Sequence, residues 1–335
     1  MKVSALIPTY SRRPYVCREI DSVLAQTVPV DEITVLDDGS TDGTVEAIHS
    51  RYGSRVAVFR QENRGVSAAR KRAVEMAQGE WVAFLDSDDE WLPERNAAFL
   101  KTVSNISPKV AWIFGDTRYV TDQGEGSTVF GDGGLPVNGD LQIFSDHLSG
   151  LVWNHGRTRP VAIQSSFIRK SALVELKCFN EGFHHAEDFL AMLQIASRYF
   201  FAAIPSVVTR LYRTSDLDES SLERNAWISG DHYRAGIIGY ALVAQTLGPI
   251  LGASFMRIPC GALCKWHAQN GLPIRRLAWQ QFKFCASARS IPFYPVLLWR
   301  HAWSFLFPNG ICHKAQIESP RRERVKLRAE SLRVD

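Results

Sequence analysis

Short apolar, β-branched runs alternate with helix-length segments through the first 120 residues, and each run stops at a turn or polar cluster. Val3–Ile7 stops at Pro8, and Ile33–Leu36 stops at Asp37-Asp38-Gly39. Val56–Phe59, Trp81–Leu85 and Val110–Phe114 follow. Between them, Tyr15–Gln26, Gly43–Tyr52, Val66–Ala77 and Pro93–Val103 carry helical spacing. Pro93 suits a first helical turn, where its missing N–H is no loss. Strands alternating with helices of this length predict an α/β fold with a mostly parallel sheet flanked by helices. In such sheets ligands bind beyond the carboxyl ends of the strands, where the polar clusters of this chain fall.

The rest of the chain divides by pattern and charge. From Thr121 to Pro160 periodicity gives way to Gly, Asp and Pro; it returns at Ala162–Leu176 and Glu187–Ser197, and Phe200–Leu211 reads as a last strand. The organisation expected is a half at 1–120, a second half at 121–224, and a basic, aromatic-rich helical region at 225–335. Residues 225–335 hold fifteen Lys/Arg against five Asp/Glu, so they carry +10, while the preceding 224 residues carry −6. Such asymmetry suits an anionic partner for the tail, and an anionic membrane surface fits its aromatic and basic mixture. The uncharged run Ala235–Met256 is long enough to span a bilayer, but its glycines and Pro249 weaken its hydropathy. No nucleic-acid-binding module is recognisable. A basic helical subdomain packed on the sheet, with a homodimer as one form of it, is the alternative to a membrane role.

Composition narrows the class. The 335 residues are 45% hydrophobic and 22% charged, with six cysteines. That excludes collagen-like, disordered and disulfide-scaffold chains. The start, MKVSALIPTY, shows no apolar signal segment. Reduced thiols and a cytoplasmic location, peripheral on the inner membrane face, are the expectation.

Two acidic clusters stand out. Asp37-Asp38-Gly39-Ser40-Thr41-Asp42 follows one strand, and Asp86-Ser87-Asp88-Asp89 follows another. A turn with a helix cap explains one Asp in each, not three. Three carboxylates in four residues repel one another unless a cation sits among them. Hard oxygen ligands suit Mg²⁺ or Mn²⁺ bridging a diphosphate. Asn63-Arg64-Gly65 opens a helix carrying Arg70, which suits either an anion or a solvated basic face. Glu187-Asp188 opens another, where the helix dipole alone favours acids.

Taken in order, these motifs resemble the family 2 inverting glycosyltransferases, nucleotide-sugar enzymes of GT-A (Rossmann-like) fold. Ile7-Pro8-Thr9-Tyr10-Ser11-Arg12 resembles the opening nucleotide loop, and Asp37–Asp42 the acidic turn that binds the base. Phe84-Leu85-Asp86-Ser87-Asp88-Asp89 is similar to the DXD segment. Gln164-Ser165-Ser166, Phe179-Asn180-Glu181 and Ala186-Glu187-Asp188 resemble the acceptor half with its Glu-Asp base motif, and Tyr212-Arg213 the closing strand. The resemblance covers residues 1 to about 220. Lys71, Cys178 and Asn180 depart from the family's usual residues, and Phe189-Leu190-Ala191 lacks a frequent Trp.

The resemblance implies a nucleotide-sugar donor, UDP first, held by Pro8, Thr9, Tyr10, Asp38, Asn63, Arg70, Asp86 and Ser87. It implies Mn²⁺ or Mg²⁺ on Asp88 and Asp86. Asp188 is the expected catalytic base, with Glu187 second. The acceptor implied is a saccharide, including a lipid-linked one. A nucleotidyltransferase of similar sheet and a non-catalytic nucleotide-sugar binder are the alternatives.

Overall fold

Strand β1 (Val3–Thr9) is buried along its whole length. Its residues alternate between two cores: Val3, Ala5 and Ile7 face one, and Leu6 the other. A strand buried on both faces reads as the continuous apolar run seen in the sequence. The structure, a computed structural model, describes residues 1–214 except 87, 134, 136–138, 140, 145–161, 180 and 182–186. The expected region 225–335 lies outside the described residues.

Around β1 the sheet is parallel. β2 (Glu32–Asp37) pairs on one side, with β3 (Ala57–Arg60) beyond it, and β4 (Trp81–Phe84) pairs on the other. The connecting helices are α1 (Val16–Leu24), α2 (Thr44–Tyr52) and α3 (Val66–Met76). Val16, Ile20 and Val23 of α1 and Ile48 and Tyr52 of α2 pack on the face of Val3, Ala5 and Ile7. On the opposite face, Ala69, Ala73 and Val74 of α3 meet Leu6 and Leu36. Each fully buried Val, Leu or Ile contributes roughly 1.5–3 kcal/mol. Helix α4 (Arg95–Val103) begins two residues after Pro93. Pro93 and Glu94 instead form a turn closed by the Arg95 N–H on the Leu92 carbonyl, at 3.1 Å.

Beyond β4 the sheet becomes mixed. β9 (Ser166–Arg169) runs antiparallel between β4 and β6 (Val110–Thr121). β10 (Phe200–Arg213) then pairs parallel with β6 along most of its length. β5 (Glu90–Trp91) and β8 (Gln142–Phe144) lie antiparallel on β10, and β7 (Gly124–Thr128) on β6. The parallel expectation therefore holds for the first half and gives way to mixed pairing in the second. α5 (Val129–Gly133), α6 (Lys170–Glu175) and α7 (Glu187–Ala196) complete the described helices. Ala172 and Leu173 of α6 and Ala191, Met192 and Ile195 of α7 join the core that α3 covers. α7 packs against α6 and the 3-10 turn Ile163–Ser165.

Candidate active site

Two turns leave the carboxyl ends of β1 and β2 and are tied together. The Asp38 N–H donates to the Thr9 carbonyl at 2.8 Å, and the Ser11 N–H to Ser40 Oγ at 2.7 Å. The Arg13 N–H reaches Asp42 Oδ2 at 3.1 Å, and Asp42 also caps α2 at the Thr44 N–H. Asp37 is fully buried, accepts the Ser40 N–H and pairs with Arg60 Nε at 3.2 Å, so it shapes the turn. Gly39 has φ +88°, and a Cβ there would stand 3.0 Å from the Asn63 backbone nitrogen. Glycine is required on both counts.

Asp38 is buried at the centre of this paired turn. One oxygen accepts from Gln61 Nε2 at 2.7 Å and the Arg64 N–H at 3.0 Å; the other accepts the Gly65 N–H at 2.8 Å. Pro8 and Thr9 are buried in β1, whereas Tyr10 is 52% exposed beside the turn and Asn63 is exposed.

The second cluster follows β4. Arg70, on the buried face of α3, lies between two carboxylates. Its Nη2 pairs with Asp86 Oδ1 at 2.5 Å, and its Nη1 donates to Glu187 Oε1. The residue expected to face a base or phosphate is thus enclosed in an internal ion-pair junction. The junction joins residues 117 apart in sequence, and it ties the start of α7 to the loop that follows β4. Burial pushes Glu187 up to about 7, Arg70 pulls it down, and Asp188 adds to the rise. Asp188 is less enclosed than Glu187; its Oδ1 accepts the Phe189 N–H at 2.7 Å.

Asp88 lies within electrostatic reach of three arginines. Burial first, then Asp86, raises its carboxyl above the usual range, and Arg12, Arg213 and Arg18 oppose the rise. Arg18 Nη2 also donates to the Asp88 carbonyl at 2.8 Å. Asp89 is buried and accepts the Tyr212 N–H at 3.1 Å, tying the loop to β10. Ser87 lies outside the described residues.

Sequence reasoning missed Glu19 here and, having placed Gln164 in the acceptor half, missed its contact with Asp86. Gln164 Nε2 donates to Asp86 Oδ2 at 2.6 Å. Glu19 is fully buried, and neither of its carboxylate oxygens has a hydrogen-bond partner among the described residues. Burial, then Asp88 and Asp89, raise its carboxyl well above the ordinary value. Glu19 had a signal: it is the acid inside the helical stripe of Val16, Ile20 and Val23. Gln164 was visible only as part of the Gln164-Ser165-Ser166 resemblance, and its bond to Asp86 had no signal because the two lie in distant segments.

Residues 4–127 match the family model described as glycosyl transferase family 2. A Bacillus subtilis glycosyltransferase named for teichuronic acid biosynthesis is 42% identical over 96 residues, 28% of this chain and 38% of that protein. The chondroitin synthase of Pasteurella multocida is 41% identical over 101 residues, 30% of this chain and 10% of that one. The chain therefore spans well under half the length of these relatives. The S. aureus TarS 1-349 structure in complex with UDP-GlcNAc superposes with a TM-score of 0.58. It is 16% identical and covers 90% of this chain and 92% of that one, a likeness of fold.

Proposed function

We propose that this chain, which belongs to glycosyl transferase family 2 and has the GT-A fold, moves a sugar from a nucleoside diphosphate to a saccharide hydroxyl with inversion. The observation that carries the proposal is the Arg70 junction. It brings Glu187 and its neighbour Asp188 to the loop of Asp86 and Asp88, so an acceptor base would stand beside a diphosphate site.

Asp38 binds the nucleobase. A carboxylate offers about four acceptor positions, and three are filled by Gln61, Arg64 and Gly65. The remaining one suits the ring N–H of uracil, and exposed Tyr10 follows Thr9, whose carbonyl accepts the Asp38 N–H. The donor is accordingly UDP-linked, in line with the UDP-GlcNAc complex of TarS.

The loop fits a divalent cation. Burial first, then repulsion from Asp86, raises Asp88, and a cation would relieve the repulsion. No group of three His, Cys, Asp or Glu is assembled among the described residues. Mg²⁺ and similar ions are commonly held by one or two carboxylates with phosphate oxygens completing the shell. Asp88, with Asp86 beside it, would hold Mn²⁺ or Mg²⁺. When bound, the ion supplies positive charge to the departing diphosphate. Arg12, Arg18 and Arg213 add fixed charge around the same loop.

Asp188 takes the proton of the incoming hydroxyl. Glu187 is buried with one oxygen committed to Arg70, which leaves Asp188 as the more accessible carboxylate. The acceptor is a saccharide carried on a lipid, and the basic tail 225–335 holds the enzyme at the anionic cytoplasmic surface where such lipids stand. The charge of the tail supports this placement. Asp188→Asn and Asp88→Asn test the assignment together. Asp188→Asn is expected to lower turnover ~10²–10⁴-fold while leaving UDP affinity unchanged. Asp88→Asn is expected to abolish transfer and Mn²⁺-dependent UDP binding. Loss of UDP binding in Asp188→Asn, or full activity of Asp88→Asn in EDTA, overturns it.

A further inference from the structure

We propose that Gln164 is a positioning residue that fixes the Asp86 carboxylate for the donor's metal. The role rests on the assignment of Asp86 and Asp88 as the diphosphate–metal loop. Asp86 is held at both oxygens by different elements: Oδ1 by Arg70 Nη2 from α3, and Oδ2 by Gln164 Nε2. A lone arginine would draw a carboxylate into a two-pronged fork. Nη1 of Arg70 is already on Glu187, so the second donor to Asp86 comes from elsewhere.

Gln164 is itself held rigidly. It sits in a short 3-10 turn, Ile163–Ser165, next to β9. Its carbonyl accepts Arg95 Nη2 at 3.1 Å and Thr209 Oγ1 at 3.2 Å. The Arg95 guanidinium is buried between the rings of Trp91 and Phe167, 3.8 Å from each centroid, and also donates to the Ser166 carbonyl at 2.9 Å. Trp91 closes the loop that Asp86 opens. That loop and the Gln164 turn are therefore clamped twice, through the Arg95 stack and through the Gln164–Asp86 bond.

The choice of an amide follows from the charges. Facing a carboxylate, the amide must present its NH₂. It adds a donor without adding charge to a cluster that already holds Asp86, Asp88 and Asp89. A glutamate of the same shape would set a fourth carboxylate against them. Groups that orient metal ligands typically change metal affinity 10–100-fold when removed.

The test measures UDP binding by calorimetry to the full chain, with Mn²⁺ and with EDTA, for the wild type, Gln164→Met and Gln164→Glu. Gln164→Met keeps the shape and removes the donor. Its Mn²⁺-supported UDP affinity is expected to fall ~10–100-fold, with affinity in EDTA unchanged. Gln164→Glu is expected to lose more, again only in the presence of Mn²⁺. Wild-type affinity in Gln164→Met, or equal losses with and without Mn²⁺, overturns the positioning role. No gain from Mn²⁺ in the wild type overturns the metal assignment beneath it, and that arm separates the two failures.

Discussion

At the scale of single residues, the proposed chemistry turns on two adjacent carboxyls with different surroundings. Glu187 is buried against Arg70, and Asp188 is partly open at the first turn of α7. Burial raises Glu187 from 4.5 to about 7. Over that interval the folded protein binds a proton that the unfolded chain has released. The resulting stabilisation is complete below pH 4.5 and is lost as pH rises through about 7. A shift of this size corresponds to about 3 kcal/mol. Melting temperature against pH is expected to fall between pH 5 and 7.5 more steeply in the wild type than in Glu187→Gln. Equal slopes would show that Glu187 titrates as an ordinary carboxyl. The pairing of Glu187 with Arg70 was not legible in the sequence. Arg70 reads as an exposed or ligand-facing cation until a residue 117 positions away folds onto it.

At the scale of elements, the turns after β1 and β2 form one unit, hinged on Gly39. Gly39→Ala would force a side chain into a left-handed conformation and against the Asn63 backbone. Stability is expected to drop by about 1–3 kcal/mol. UDP affinity is expected to fall with it, because Asp38 and the Arg64–Gly65 segment would be pushed apart; denaturant melts and UDP titration check the two effects. An unchanged stability would show that the turn relaxes freely. The elements themselves were largely readable. β1, β2 and β4 are continuous apolar runs, and α1 to α3 follow helical spacing with small shifts at their ends. The sheet order past β4 was not, since β9 pairs with β4 and β6 across more than fifty residues. Strand pairing at that range depends on which face each strand buries, and local pattern carries no record of its partner. The acidic loops stood out in the sequence because their charge exceeds what turns need. Gln164, an uncharged residue in a short turn, gave no such excess.

At the scale of the whole molecule, an acidic-leaning stretch of 224 residues precedes a strongly basic tail. No helix among the described residues is long and apolar enough to cross a membrane. The full chain is expected to sediment with anionic vesicles at low salt and to be released at high salt, because screening weakens surface attraction. Equal binding to neutral vesicles, or none to either, would contradict the role assigned to residues 225–335. The central claim is glycosyl transfer from a nucleotide sugar, and the products settle it. Purified protein with Mn²⁺ and a panel of UDP-sugars, with and without saccharide acceptors, is followed by nuclear magnetic resonance. The expected result is release of UDP together with a sugar of inverted anomeric configuration, absent in Asp88→Asn. Release of pyrophosphate or UMP instead, or binding without turnover of any donor, would contradict it.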